Sequence, residues 1–218
     1  RMFKRVYYWI DERLNIRPYI RKEILDKPVQ GKLNFTYCFG GITFFLFIVL
    51  TLTGLSMAIY YVPSPDHAYD TVDYLTYQIF MGKVIRGVHH WAANLMVVTV
   101  FLHMLRVYIH GAYKKPRELN WITGVILFVF VLSFGFTGYL LPWDQKAYWA
   151  TKVGTEMPGT VPFAGEYIVR FLRGGSKIGA LTLSRFYVLH VIFMPFITAV
   201  LLIGHFAMVR RQGIAEPL

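Results

Sequence analysis

The chain is poor in charge, in acid and in cysteine, and each shortage narrows the field. Only 16% of its 218 residues are Asp, Glu, Lys or Arg, against the roughly 25% of a soluble domain. A single cysteine, Cys38, excludes an internal disulfide. Acids number 12 against 23 Lys and Arg, a net charge of +11. That excess is segregated. Residues 1–34 hold nine Lys or Arg and four acids, whereas residues 62–86 hold Asp66, Asp70 and Asp73 against Lys83 and Arg86, and the other connection on that side is mixed. Basic edges of this kind follow the positive-inside rule and need no nucleic acid.

What remains is apolar. Hydrophobic residues make up 56% of the chain and aromatics 17%. Four uncharged or nearly uncharged stretches stand out, at about Phe35–Tyr61, Val88–His110, Trp121–Leu141 and Phe186–Val209. Each supplies the roughly 20 residues needed to cross about 30 Å of hydrocarbon. Proline enters only the last of them, at Pro195, where a bend is expected. The expected fold is all-α: an integral membrane four-helix bundle over residues 35–218, multi-pass, with both termini on the cytoplasmic or equivalent side. Residues 1–34 carry Phe3, Val6, Tyr7, Ile10 and Leu14 at helical spacing among charges, the pattern of an amphipathic helix on that surface. The connection over 142–185 is the longest, and loops of that length carry function or their own short helices.

Histidine in hydrocarbon is costly and points to function. His89 and His103 lie 14 residues apart in the second stretch, and His190 and His205 lie 15 apart in the fourth. Steps of 14 and 15 return a side chain to within roughly 40–60° of its starting face, about 21–22 Å along the axis. With alternating spans, the second and fourth helices run in the same direction. Depth therefore pairs His89 with His190 near the outer face and His103 with His205 near the inner one. Paired neutral imidazoles suit six-coordinate heme iron, a centre for electron transfer with no site left for substrate. His90, 13 residues from His103, falls on a different face; His110 shares the face of His103 but has Gln212 rather than histidine at its depth; and His67 is in a loop. Gly40 and Gly54, and likewise Gly124 and Gly138, repeat the 14-residue step. Lacking side chains, they leave room for a flat macrocycle beside the backbone. Arg86, three before His89, and Arg106, three after His103, are placed to pair with anionic propionates.

Five segments then carry a resemblance: Tyr37-Cys38-Phe39-Gly40-Gly41, Arg86-Gly87-Val88-His89, Lys114-Lys115-Pro116-Arg117-Glu118-Leu119, Thr137-Gly138-Tyr139-Leu140-Leu141-Pro142-Trp143-Asp144-Gln145, and Arg185-Phe186-Tyr187-Val188-Leu189-His190. Together they resemble the cytochrome b6 family, the heme-bearing core of quinol–cytochrome c/plastocyanin oxidoreductases, over nearly the whole chain. The 15-residue histidine step is of the b6 type. The resemblance implies two b hemes, plus a c-type heme attached to Cys38 by one thioether beside the inner b heme. Arg117 and Arg210 are candidates for that heme's propionates. Pro142, Trp143, Asp144 and Gln145 fall in the loop that helps build the quinol oxidation site. A Pro-Glu-Trp-Tyr motif, expected at that site, occurs nowhere in the chain, so the expectation is the short half of a split cytochrome b completed by a separate subunit that carries it.

The resulting expectation is a diheme subunit that carries electrons from an outer quinol site to an inner quinone site, and an enzyme only within its complex. The implied partners are a Rieske iron–sulfur protein, a c-type cytochrome subunit and quinol or quinone, in a dimeric complex of a bacterial plasma membrane or thylakoid. The alternative reading is a diheme membrane anchor of a dehydrogenase or hydrogenase. A heme-free transporter is disfavoured, because neither internal repeats nor broken midplane helices are visible.

Overall fold

The computed structural model describes residues 2–15, 17, 18, 21, 26 and 35–215. Among these residues there are helices and turns and no strand. The chain divides into two compact units, Arg1–Asn34 and Phe35–Leu218.

In the first unit, helix α1 spans Met2–Leu14. Trp9 carries the Arg13 guanidinium on its ring at 4.1 Å, and Arg13 also donates to the Trp9 carbonyl at 2.9 Å. Most of the expected surface segment beyond Leu14 lies outside the described residues.

Four helical spans in the second unit are long and apolar enough to cross a membrane: Phe35–Ala58, Gly82–Ile109, Glu118–Leu140 and Ala180–Gln212. The first opens with a 3-10 turn, Phe35–Cys38, and continues as α2, Phe39–Ala58. Apolar residues surround α2 on every side, as they do in a helix whose solvent is lipid. After α3, Ala68–Tyr77, the second span is α4, Gly82–Ile109. It starts six residues before the apolar stretch read from sequence, because the α3–α4 junction sets its start. Met81 adopts a left-handed φ of 60° there. A Cβ on Gly82 would lie 1.8 Å from the Leu75 carbonyl oxygen, so only glycine fits. A short turn leads to α5, Glu118–Leu140, and α4 and α5 are neighbours.

The long connection is itself built. It holds α6, Gln145–Glu156, a 3-10 turn at Met157–Thr160, and α7, Gly165–Arg173. Asp144 caps α6 by accepting from the Ala147 amide at 2.8 Å. Arg173 is only 8% exposed. It donates to Thr155 Oγ1 at 2.7 Å and to the Lys152 carbonyl at 3.2 Å, while its own carbonyl accepts from Thr182 Oγ1 at 2.8 Å. Arg173 thus ties α7 to α6 through its guanidinium and to α8, Ala180–Val188, through its carbonyl.

The fourth span is not one straight helix. Between α8 and α9, Met194–Gln212, lies a π-turn at Leu189–Phe193, just ahead of Pro195. Proline supplies no amide for an intrahelical bond, which favours irregular helix in the turn before it. The spans pair unevenly. Helix α4 packs along α2 and α9 along α5, but α4 and α9 make little direct contact. The small apolar core lies on the α2–α4 side, where Leu46, Ala92 and Met96 gather Phe47, Val49 and Leu50.

Candidate functional site

The four spanning histidines face four glycines, one to one. A Cβ built on Gly54 would meet His89 Cε1 at 3.3 Å, and on Gly138 it would meet His190 Cε1 at 2.7 Å. On Gly40 it would meet His103 Cε1 at 3.0 Å, and on Gly124 His205 Cε1 at 3.7 Å. The glycines therefore first make room for the imidazoles themselves, each lying against the backbone of the neighbouring helix. That arrangement is finer than the reading from sequence, which assigned the space to the macrocycle.

Two levels result. His190 is a neighbour of His89, and His103 of His205. The structure thus brings together the pairs that depth alone selected. At the His89/His190 level, expected to be the outer one, Thr53 Oγ1 lies 2.9 Å from His89 Nδ1 and Thr137 Oγ1 lies 2.9 Å from His190 Nδ1. At the His103/His205 level, expected to be the inner one, both Nδ1 atoms are buried without a hydrogen-bond partner among the described residues.

The π-turn accounts for the unequal histidine steps. On a regular helix, steps of 14 and 15 differ by about 100° in phase. A π-turn absorbs one extra residue in a helix, and this one begins at Leu189, beside His190. It brings the 15-residue step of the fourth span back toward the phase of the 14-residue step on α4. The glycine partners on α2 and α5 both keep the step of 14. Reading the sequence missed the π-turn, and it missed Thr53 and Thr137. A repeated dipeptide, Thr53-Gly54 and Thr137-Gly138, was the available signal.

The remaining candidates separate by contact. Arg86 donates to Thr76 Oγ1 on α3 at 3.2 Å. Arg106 lies over the Tyr37 ring at 4.5 Å, with its Nε buried and unpartnered among the described residues. Arg117 donates to the Gln212 and Gly213 carbonyls at 3.4 Å each; it caps the end of α9, where a cation complements the helix dipole. Arg210 sits in the last turn of that helix. Cys38 is exposed at the start of α2, two residues before Gly40, which places it at the inner level. His90 is exposed with its ring edge toward Trp91, and His110 spends Nδ1 on the Arg106 carbonyl at 2.9 Å. Trp143 holds a left-handed φ of 54°, a strained conformation for a bulky residue. With Tyr69, Asp144, Gln145 and Lys146 it lines an open cleft of about 480 Å³. Beside the outer ends of the spans, Tyr61 donates to the Leu141 carbonyl at 2.7 Å and stacks on Tyr187. Burial, helped by Tyr187, holds the Tyr61 phenol above the usual tyrosine range.

Iron protoporphyrin fits this donor set. Among the described residues no three His, Cys, Asp or Glu side chains gather to hold a bare ion, whereas two imidazoles complete the coordination of a heme. The little contact between α4 and α9 leaves a macrocycle its place.

Comparison with known proteins decides the lineage. The family described as cytochrome b/b6/petB matches residues 24–213. The chain belongs to the cytochrome b/b6 family. It is 48% identical to the menaquinol:cytochrome c reductase cytochrome b subunit of Geobacillus thermodenitrificans, with all of both chains covered. Cytochrome b6 of Synechococcus sp. (strain JA-3-3Ab) is 46% identical over 98% of this chain and 99% of its own. A solved hyperthermophilic respiratory Complex III chain superposes with a TM-score of 0.87 at 33% identity, covering 94% of this chain. This chain spans 55% of that longer one. The cytochrome b reading drawn from the sequence therefore stands: this is an integral membrane, heme b-binding subunit of a quinol oxidoreductase complex, with four transmembrane helices.

Proposed function

We propose that this cytochrome b subunit carries electrons across the membrane between two bis-histidine levels, His89 with His190 outside and His103 with His205 inside. The observation that carries the reading is the fourfold histidine–glycine match on two facing helix pairs. Bound heme supplies one-electron transfer without substrate chemistry at the iron. The chain's own part is to place two imidazole pairs, with His89 and His103 about 21 Å apart along α4, that would hold two such groups inside a low-dielectric layer. Gly40, Gly54, Gly124 and Gly138 let each imidazole stand against a neighbouring backbone. Arg86 and Arg106 supply cations at the outer and inner levels, where propionates emerge.

The relatives' names support a quinol as donor and a cytochrome c as eventual acceptor; the family resemblance implies iron–sulfur and c-type cytochrome partners and a subunit completing the cytochrome b. The cleft at Trp143, Asp144 and Gln145 is our candidate for this chain's share of the quinol oxidation site. Cys38, exposed at the inner level, is our candidate for a thioether to a third heme, with Arg117 and Arg210 nearby in the fold's inner end. The basic flanks orient the termini inward.

A redox titration of the purified complex tests the reading. Two b-type steps are expected, and His103→Leu should abolish one while the other still reduces. Heme staining of the denatured chain should be positive and should vanish in Cys38→Ser with both b hemes kept. Two unaltered b steps in His103→Leu refute the inner ligand, and a stained Cys38→Ser chain refutes the thioether.

A further inference from the structure

The two histidine levels differ in how Nδ1 is held, and that difference has a consequence for tautomer and potential. Each outer ring has a threonine hydroxyl 2.9 Å from Nδ1. A hydroxyl carries one proton. Thr53 gives its proton to the Val49 carbonyl at 2.7 Å, with the Leu50 carbonyl at 3.2 Å. Thr137 gives its proton to the Ser133 carbonyl at 2.8 Å, with the Phe134 carbonyl at 3.3 Å and Met194 Sδ at 3.9 Å as weaker acceptors. Both oxygens are then left to accept. The proton of each outer imidazole must sit on Nδ1, and Nε2 keeps its lone pair. Inner rings have no such hydroxyl.

Resting on the reading that His89 and His190 carry iron, we propose that Thr53 and Thr137 are positioning residues that fix the Nδ1–H tautomer and lower the midpoint of the outer heme. The physical link is ligand basicity. An imidazole that donates through Nδ1 becomes the better donor through Nε2, and a more electron-rich ligand favours the oxidised iron. The hydroxyl's own bond to a helix carbonyl polarises it further in the same direction. The two positions are equivalent, each hydroxyl lying 2.9 Å from its Nδ1, so valine at 53 and at 137 should act in the same direction.

The test uses the purified complex carrying Thr137→Val, Thr137→Ser, Thr53→Val or His190→Leu. Heme b is counted by pyridine hemochrome, and both b steps are followed by spectroelectrochemistry. In Thr137→Val one step should move to higher potential while the other stays. Thr53→Val should move the same step in the same direction, and Thr137→Ser should restore it. Loss of one b heme in Thr137→Val but not in Thr137→Ser also supports the hydroxyl's role. Full heme content with both steps unmoved in Thr137→Val overturns the proposal, and so does serine behaving like valine. His190→Leu keeping both b hemes would instead sink the ligation reading beneath it.

Discussion

A methyl group added at Gly138 would arrive 2.7 Å from Cε1 and 3.3 Å from Nε2 of His190. Free imidazole could swing away, but one anchored to iron and bonded to Thr137 cannot, so Gly138→Ala is expected to lose one b heme. At Gly124 the same methyl meets His205 Cε1 at 3.7 Å, an ordinary van der Waals distance, and heme content should hold. Gly40 and Gly54, at 3.0 and 3.3 Å, should fall between. The dithionite-reduced α-band per polypeptide measures this series, and a flat response would deny the close approach. Much at this scale was open to reading beforehand. Four histidines in apolar stretches with matched steps announce their pairing, because depth and phase are linear functions of sequence separation. The threonines were not legible in the same way. A threonine in a membrane helix ordinarily bonds its own i−4 carbonyl, as Thr43, Thr51 and Thr123 do here. Only the spatial neighbour on another span shows which hydroxyls also face an imidazole.

Helix geometry supplies the second test. The sequence shows that one span has one residue more between its histidines than the other, but pattern counting assumes a uniform 3.6-residue turn and has no place for the excess. The π-turn at Leu189–Phe193 is that place. Deleting Ile192 should close it to α-helix and leave a step of 14, matching α4 and the glycines opposite, so both b hemes should persist. Deleting Val97 on α4 shortens that step to 13. The resulting 100° rotation about the axis should carry either His89 or His103 off its face, with loss of one b heme. Equal heme loss in both deletions would show that the π-turn is not a register device. Span ends were less legible for a related reason. Hydropathy marks where lipid ends, whereas the close contact of Gly82 with Leu75 decides where α4 starts.

Across the whole molecule, α2 packs with α4 and α5 with α9, α4 also neighbours α5, and α4 and α9 make little contact. Few side chains within any span are buried by the chain itself, from 6% to 17% of the most apolar windows. Little of the chain's own structure bridges the space between α4 and α9. Groups bound there by His89 with His190 and by His103 with His205 would bridge the pairs, so their binding energy becomes folding energy. A ligand present at 1,000 times its Kd stabilises the form that binds it by about 4 kcal/mol, and two such sites act on one interface. Protein produced under heme limitation should therefore be markedly more susceptible to proteolysis. Cleavage should concentrate in the fourth span and in the outer α6–α7 segment that Arg173 ties to α8. The α2–α4 pair, with its own core of Leu46, Ala92 and Met96, should outlast both. Limited proteolysis with mass mapping, with and without heme supplementation, distinguishes this order from uniform loss. If heme-depleted protein resisted protease as well as the loaded form, the two helix pairs would have to be held together by contacts other than the groups between them.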